Sequence, residues 1–327
     1  MGGLTKITRG NVKDFLYKSF SKAGDQAVWL LDSGRLRILC YHGVCLDRLA
    51  TEPWMPEYFV AQSAFEKQLQ YLQRNASILP LSEAVTRLQD GSLPPRSVSI
   101  TFDDGYANNL YLAQPLLQKY QMHATVFLSS AYIESGELYP FLKLKLIRQN
   151  AGSVAPHMLE YKSNPLDVVM ESAKAPWRAV EHHLTGDQCQ TLRPLSIDEV
   201  RKADPSTIRF GAHSHTHCIL RNESTARRQE EIRLSVRKVE EWTGLPVRLF
   251  SYPNGEPGDF DDADKQTLRA EGIQAAVTGI GGANTRPVDL LALRRYPLTL
   301  GHDEHRFRAE LAGVRAALQS VARRVSA

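Results

Sequence analysis

Two short clusters hold the side chains best suited to chemistry: Thr101-Phe102-Asp103-Asp104-Gly105 and His213-Ser214-His215-Thr216-His217. Three histidines in five residues can offer at most two imidazoles to one ion, because alternate side chains of an extended segment point the same way while a helical turn brings i and i+4 together. His213 and His217 are the i, i+4 pair. One added carboxylate gives two histidines and an acid with a coordination position left open, the donor pattern of a catalytic rather than a structural metal site. Of two adjacent aspartates, one can bind the ion while the other stays free. A divalent ion such as zinc lowers the pKa of bound water from 15.7 toward about 7, so the free carboxylate can take a proton at neutral pH. Each cluster alone has a plainer reading, and Asp-Asp-Gly by itself is most often a turn with a solvated acidic edge. Their positions along the chain favour a shared site.

Both clusters directly follow strand-like runs, at 97–102 and 208–212. Further strands are expected at 37–42, 123–128, 247–252 and 275–278, and helices at 65–72, 82–88, 110–120, 226–242 and 265–271. Strand and helix alternate, so the fold class is α/β, and in such folds reactive groups gather at the C-terminal ends of parallel strands. Residues 135–205 break the rhythm: Leu142, Leu144, Leu146 and Ile147 suit a helix, and a polar, irregular stretch follows, together an insertion or lid. Ahead of the first strand, Val12, Phe15, Leu16, Phe20, Ala23, Ala27 and Leu30 recur at helical spacing with lysines between them. This amphipathic helix either packs on the domain or rests on a membrane surface. Phe307, Leu311, Val314, Leu318 and Val321 mark a C-terminal helix. The expected division is an N-terminal helical segment at 1–34, a catalytic domain at 35–300 with its insertion at about 135–205, and a C-terminal helix at 301–327 packed on that domain.

Composition excludes several classes. With 43% hydrophobic and 23% charged residues over 327 positions, the chain has ample material for a core and is neither disordered nor a disulfide-stapled miniprotein. Forty basic against 36 acidic residues leave a net charge of +4, too small for a nucleic-acid footprint, so no nucleic-acid partner is expected. Cys40, Cys45, Cys189 and Cys218 form no CxxC pair and point to a reducing compartment. The first 31 residues carry no apolar run of signal-peptide type, and no stretch of about 18 apolar residues occurs anywhere. The expected location is cytoplasmic, with peripheral membrane contact through the N-terminal helix as the variant.

The sequence resembles the polysaccharide deacetylase family, the NodB-homology carbohydrate esterases. Thr101-Phe102-Asp103-Asp104-Gly105-Tyr106 matches the family's first motif, and His213-Ser214-His215-Thr216-His217 its histidine motif of His, Ser or Thr, two variable residues, His. The similarity runs from about 37 to 295 and is weakest over 135–205. It implies an irregular (β/α) barrel with a helical insertion, hydrolysis of N-acetyl groups on an amino sugar, Asp103 as general base, and Asp104, His213 and His217 as holders of a divalent metal, zinc foremost with cobalt or manganese as alternatives. His215 then stands outside the ligand set.

The family also needs an acid for the leaving amine. Its common arrangement takes that histidine from a late Leu-x-His motif, whereas members that begin with a Tyr-His strand supply it from the N-terminal side. Leu39-Cys40-Tyr41-His42-Gly43-Val44 resembles the second type, which makes His42 the expected acid; a packed histidine is the plainer alternative. Leu300-Gly301-His302 matches the late motif by letters, but follows Leu293-Arg294-Arg295-Tyr296-Pro297, which resembles the Leu-Pro-Arg segment of the N-terminal-histidine branch. His302 is therefore expected in a surface loop, as the reserve acid. The family's Arg-x-Pro-Tyr motif stands here as Ser251-Tyr252-Pro253-Asn254-Gly255 and lacks its arginine. Arg295 is expected to replace it by pairing with Asp103, and the Asn254 backbone N–H to help stabilise an oxyanion.

The expected activity is metal-dependent removal of N-acetyl groups from an amino-sugar glycan or glycan intermediate. A lipid-linked or soluble intermediate suits a chain without an export signal. The alternatives are the same hydrolase chemistry on a non-sugar or cyclic amide, and a non-catalytic sugar-binding relative, against which the intact set of Asp103, Asp104, His213, His217 and His42 argues.

Overall fold

A computed structural model describes residues 34–150 and 160–311. The first strand, β1 (Leu36–Tyr41), is buried along its whole length, as suits a strand covered on both faces in a parallel barrel. Two short strands, β2 (Val44–Cys45) and β3 (Val60–Ala61), pair beside it. Helix α1 (Gln62–Asn75) buries Phe65, Leu69 and Leu72, its i, i+4, i+7 stripe. After β4 (Ser77–Ile78) comes α2 (Leu81–Asp90), closed by Gly91 at φ 75°, whose N–H donates to the carbonyls of Arg87 and Leu88. Next are β5 (Ser97–Phe102), a π-helical turn at Asn109–Ala113 running into α3 (Gln114–Lys119), β6 (Ala124–Leu128) and α4 (Ser130–Ser135).

The insertion contains the helix that the leucines suggested, α5 (Pro140–Asn150), and where the sequence suggested an irregular stretch it is helical too: α6 (Leu166–Val180), α7 (Gly186–Leu192) and α8 (Ile197–Lys202). Capping boxes start the last two, Thr185 with Gln188 and Ser196 with Glu199. The alternating rhythm then resumes with β7 (Ile208–Ala212), α9 (Thr225–Thr243), β8 (Leu249–Ser251), α10 (Asp262–Ala270), β9 (Ala275–Gly281), β10 (Leu293–Pro297) and α11 (Glu304–Leu311).

All the strand pairings are parallel, in the order β1-β10-β9-β8-β7-β6-β5-β4, and β1 also pairs with β5. That last pairing closes seven strands into a barrel. β4 stays outside it, taking the first two positions of a β5 edge whose last three hold β6. Alternation sorts the side chains of β1. Leu39 and Tyr41 join the large core with Phe65, Phe102 and the face of α9, whereas Leu36 and Ile38 pack with Phe127, Leu249, Val277 and Leu293. Cys40 and His42 continue this second series toward the rim.

The insertion has an apolar cluster of its own, in which Leu142, Leu146, Val169, Ala173 and Leu192 surround Tyr106 and Tyr139. On the far side, α11 packs Phe307 edge-on to Tyr71 of α1, and Arg37 donates to the Leu311 carbonyl. No helix among the described residues is long and apolar enough to cross a membrane. The amphipathic helix expected within 1–34, and Val314, Leu318 and Val321, lie outside the described residues.

Candidate metal centre and active site

Asp103 extends the β1–β5 ladder by one residue, its N–H donating to the Tyr41 carbonyl at 2.9 Å. The chain then turns sharply, with Asp104 at φ 70° and Gly105 at φ 67°. Aspartate is among the residues that tolerate this left-handed region, and Gly105 is required there because a Cβ would lie 2.4 Å from a Leu128 methyl. Two neighbouring carboxylates thereby part company, one toward β10 and one toward the end of β7.

At that end, the His213 N–H donates to the Leu128 carbonyl at 2.9 Å. His213 and His217 do meet, but by a different route from the helical turn expected of an i, i+4 pair. Ser214 (φ 57°) and His217 (φ 58°) are both left-handed, and the loop between them is held from outside. Glu231 of α9, buried to 1% exposure, accepts from the Thr216 N–H at 2.7 Å and its hydroxyl at 2.8 Å.

Asp104 Oδ1 lies 3.0 Å from His217 Nε2 and 3.5 Å from His213 Nε2, all three side chains buried. The other ring nitrogens settle what these atoms are. His213 Nδ1 sits 2.6 Å from the Ser251 carbonyl and must carry its proton to donate there. The Tyr161 hydroxyl donates to the His217 carbonyl, so it accepts from His217 Nδ1, 2.7 Å away. Tautomers assigned from this network leave both Nε2 atoms as lone pairs. Two nitrogen lone pairs and a carboxylate oxygen without a hydrogen-bond donor thus converge, and only a positive charge satisfies such a buried set. Burial alone would push the His213 pKa down, yet Asp103, Asp104 and the Ser251 carbonyl together raise it above its usual value. The pocket therefore draws either a proton or a cation, and two imidazoles with one carboxylate fit a divalent ion.

Asp103 has a different partner. Arg295, 2% exposed, grips it with both terminal nitrogens, at 2.7 Å to Oδ1 and 2.6 Å to Oδ2, while its Nε donates to the Thr278 carbonyl at 2.8 Å. Burial raises the carboxyl's pKa, but the Arg295 guanidinium and His213 outweigh it and hold Asp103 well below the usual carboxylate range. Arg295 thus pairs with Asp103 through both oxygens.

A model of the family described as Polysaccharide deacetylase matches residues 90–276, over half the chain. The chain belongs to the polysaccharide deacetylase family. The Bacillus subtilis (strain 168) protein named "Putative polysaccharide deacetylase YxkH" is 22% identical over 284 residues, covering 86% of this chain and 78% of that protein. The Staphylococcus aureus (strain MSSA476) poly-beta-1,6-N-acetyl-D-glucosamine N-deacetylase is 38% identical over 77 residues, 23% of this chain and 27% of that protein. Among solved structures, Streptococcus pyogenes deacetylase PplD in complex with acetate aligns with a TM-score of 0.60 at 17% identity, covering 85% of this chain and 98% of that one. IcaB from Ammonifex degensii aligns at 0.57 with 19% identity, covering 85% and 97%. These structural likenesses establish the NodB-type (β/α) barrel, here a ring of seven strands.

In this polysaccharide deacetylase-family chain one cavity of about 340 Å³ opens onto Asp103, Asp104, His213, His217, His42 and Arg295. His42 is half-buried beside Tyr58, with ring centroids 4.9 Å apart, and its carbonyl accepts from Asn109 of the π turn at 2.7 Å. Burial lowers the imidazole's pKa despite the opposing pull of Asp104 and Asp103. Asn254 lines the same cavity at φ 58°, its side chain donating to Asp259 at 2.5 Å. His215 stands outside the donor set, 2.8 Å from the Ser130 hydroxyl. His302 departs from expectation: it is 5% exposed rather than on a surface loop, its Nδ1 accepts the Thr299 N–H at 3.0 Å, and it does not line the cavity.

The sequence reading missed several residues at the site. Tyr139 donates to the Asp104 carbonyl, Tyr161 fixes His217, and Tyr58, Phe141 and Tyr161 form an aromatic wall. No local motif marks a tyrosine for such work. Cys40, whose Sγ is 3.7 Å from Asp103 Oδ2, could have been found, since it lies two residues ahead of His42 at the end of a strand.

Proposed function

We propose that this chain is a metal-dependent N-deacetylase acting on an amino-sugar glycan or glycan intermediate. The supporting observation is the convergence of the Asp104, His213 and His217 lone pairs beside a second carboxylate, Asp103, whose charge and direction are fixed by Arg295. A divalent ion held by Asp104, His213 and His217, zinc foremost with cobalt or manganese as alternatives, would polarise the acetamide carbonyl and ease deprotonation of water. Asp103 is the group placed to take that proton, and Arg295 keeps it ionised and aimed. His42 protonates the departing nitrogen. Because burial keeps the resting imidazole neutral, it becomes an acid by receiving the proton drawn from water. One water proton then ends on the amine and the other leaves with acetic acid. The Asn254 backbone N–H is the proposed helper for the oxyanion.

The aromatic wall suits stacking against the apolar face of a sugar ring. At about 340 Å³ the cavity sits at the small end of ligand pockets, so one sugar with its acetamide fills it and neighbouring units lie outside. The named activity of the Staphylococcus aureus relative supports the substrate class. The cavity's small size also favours a second reading, hydrolysis of a non-sugar amide. Cytoplasmic location with membrane contact through 1–34 belongs to the same proposal, and co-sedimentation with vesicles with and without that segment tests it.

Acetate release from N-acetylglucosamine oligomers and from simple amides, before and after chelation and zinc or cobalt restoration, decides between the readings. Metal-dependent release from sugars is expected. Release from simple amides alone moves the assignment to the second reading, and no release from either, with metal bound, overturns both.

A further inference from the structure

β1 brings two donors to the rim, of which the proposed reaction uses one. Cys40 lies near the end of β1, and His42 is the first residue beyond it, lining the same cavity. The β1–β5 register sets Cys40 beside Thr101 and Tyr41 beside Phe102, and the Asp103 N–H donates to the Tyr41 carbonyl at 2.9 Å. As a result Cys40 Sγ, a His42 ring nitrogen and an Asp103 carboxylate oxygen all lie within 4.8 Å of one another. The sulfur-to-Oδ2 separation is 3.7 Å. A tetrahedral ion bound at about 2.3 Å to sulfur and about 2.1 Å to oxygen needs a ligand-to-ligand edge of about 3.6 Å, so this pair is already spaced for one. The His42 Nδ1 atom is buried and has no hydrogen-bond partner.

We propose that Cys40, His42 and Asp103 form a second, thiolate-containing site for soft divalent cations, separate from the Asp104, His213 and His217 set, and that filling it switches the centre off. Binding releases the Cys40 proton to solvent and forms a sulfur–metal bond, with no change of oxidation state. Inhibition follows because the ion occupies the carboxylate and the imidazole that move the reaction's protons. Arg295 uses one lone pair on each Asp103 oxygen and leaves another available. Its positive charge also fixes the order of filling: the first ion goes to Asp104, which the guanidinium does not grip, and the second to Cys40. The mixed sulfur, nitrogen and oxygen donors select zinc or cadmium over magnesium or manganese.

The test titrates cadmium into the full chain already carrying one equivalent of cobalt. A second equivalent is expected to bind with a thiolate-to-cadmium charge-transfer band in the near ultraviolet. Cys40→Ser and Cys40→Ala should lose the band and weaken the second equivalent about tenfold or more. Cys189→Ser, which removes the exposed thiol, should keep both. Only the loss of turnover with the second equivalent rests on the deacetylase reading; band and stoichiometry are read on an inactive protein as well. Displacement of cobalt without a thiolate band, a band that survives in Cys40→Ser, or a single equivalent in the unaltered protein overturns the proposal.

Discussion

The barrel rim and the helical insertion touch the same Asp104, His213 and His217 set, the proposed metal ligands, in different ways. Asp104 and His213 come from loops that continue strands β5 and β7, and they present the donor atoms themselves. Tyr139, just ahead of α5, and Tyr161, between α5 and α6, touch this set through hydroxyls on its backbone carbonyls and on one ring nitrogen. In the proposed reaction the rim therefore supplies the chemistry, and the insertion fixes ring orientation and tautomer. A change in the rim should remove a function, and a change in the insertion should loosen it.

The largest effect is expected from Asp104→Ala or His217→Ala: no measurable acetate release and loss of tightly bound metal by elemental analysis. Asp103→Asn should lower turnover roughly 10²- to 10⁴-fold while one equivalent of metal stays bound. Retention of most activity would sink its role as base. His42→Ala should show a comparable loss on the amide but only a few-fold loss on an aryl acetate, whose leaving group needs no proton. An equal loss on both would make His42 the base as well as the acid. Tyr161→Phe should weaken metal affinity about 10- to 100-fold with turnover at saturating metal largely kept. If it were as inactive as His217→Ala, the division between rim and insertion would fail.

The smallest effect concerns pH. The His213 pKa is raised in the fold, so protons compete with the ion over a higher pH range than at an ordinary imidazole of 6.5. Metal loading should be complete at alkaline pH and fall as pH drops through that raised value, as equilibrium dialysis can follow. Loading that persists until carboxylates protonate would contradict the neutral-ring assignment.

Much of the rim was legible because its residues sit in short motifs after strands. His213 and His217 could be named as a pair from spacing. The left-handed Ser214 and His217 that join them could not, since nothing in those letters requires it. Arg295 could be suggested only because its usual motif position is vacant, and its contact with Asp103, 192 residues away, depends on β10 lying between β1 and β9. In the insertion, Pro176 inside α6 obscured a helix that tertiary packing tolerates. The two capping boxes at Thr185 and Ser196 were readable signals of α7 and α8. His302 is expected in a surface loop because it follows a segment resembling the Leu-Pro-Arg stretch of the N-terminal-histidine branch, yet the Thr299 bond folds it inward.

The long separation between Asp103 and Arg295 also sets an order in time. During synthesis Asp103 emerges early, the histidine loop follows, and β10 is the last strand of the ring to appear. The pairing that fixes the charge and direction of Asp103 therefore cannot form until β10 has joined β1 and β9. Long-range closure of this kind is the slow part of folding. Of the contacts at the rim, the Arg295 grip on Asp103 is thus the last to become available as the chain is made.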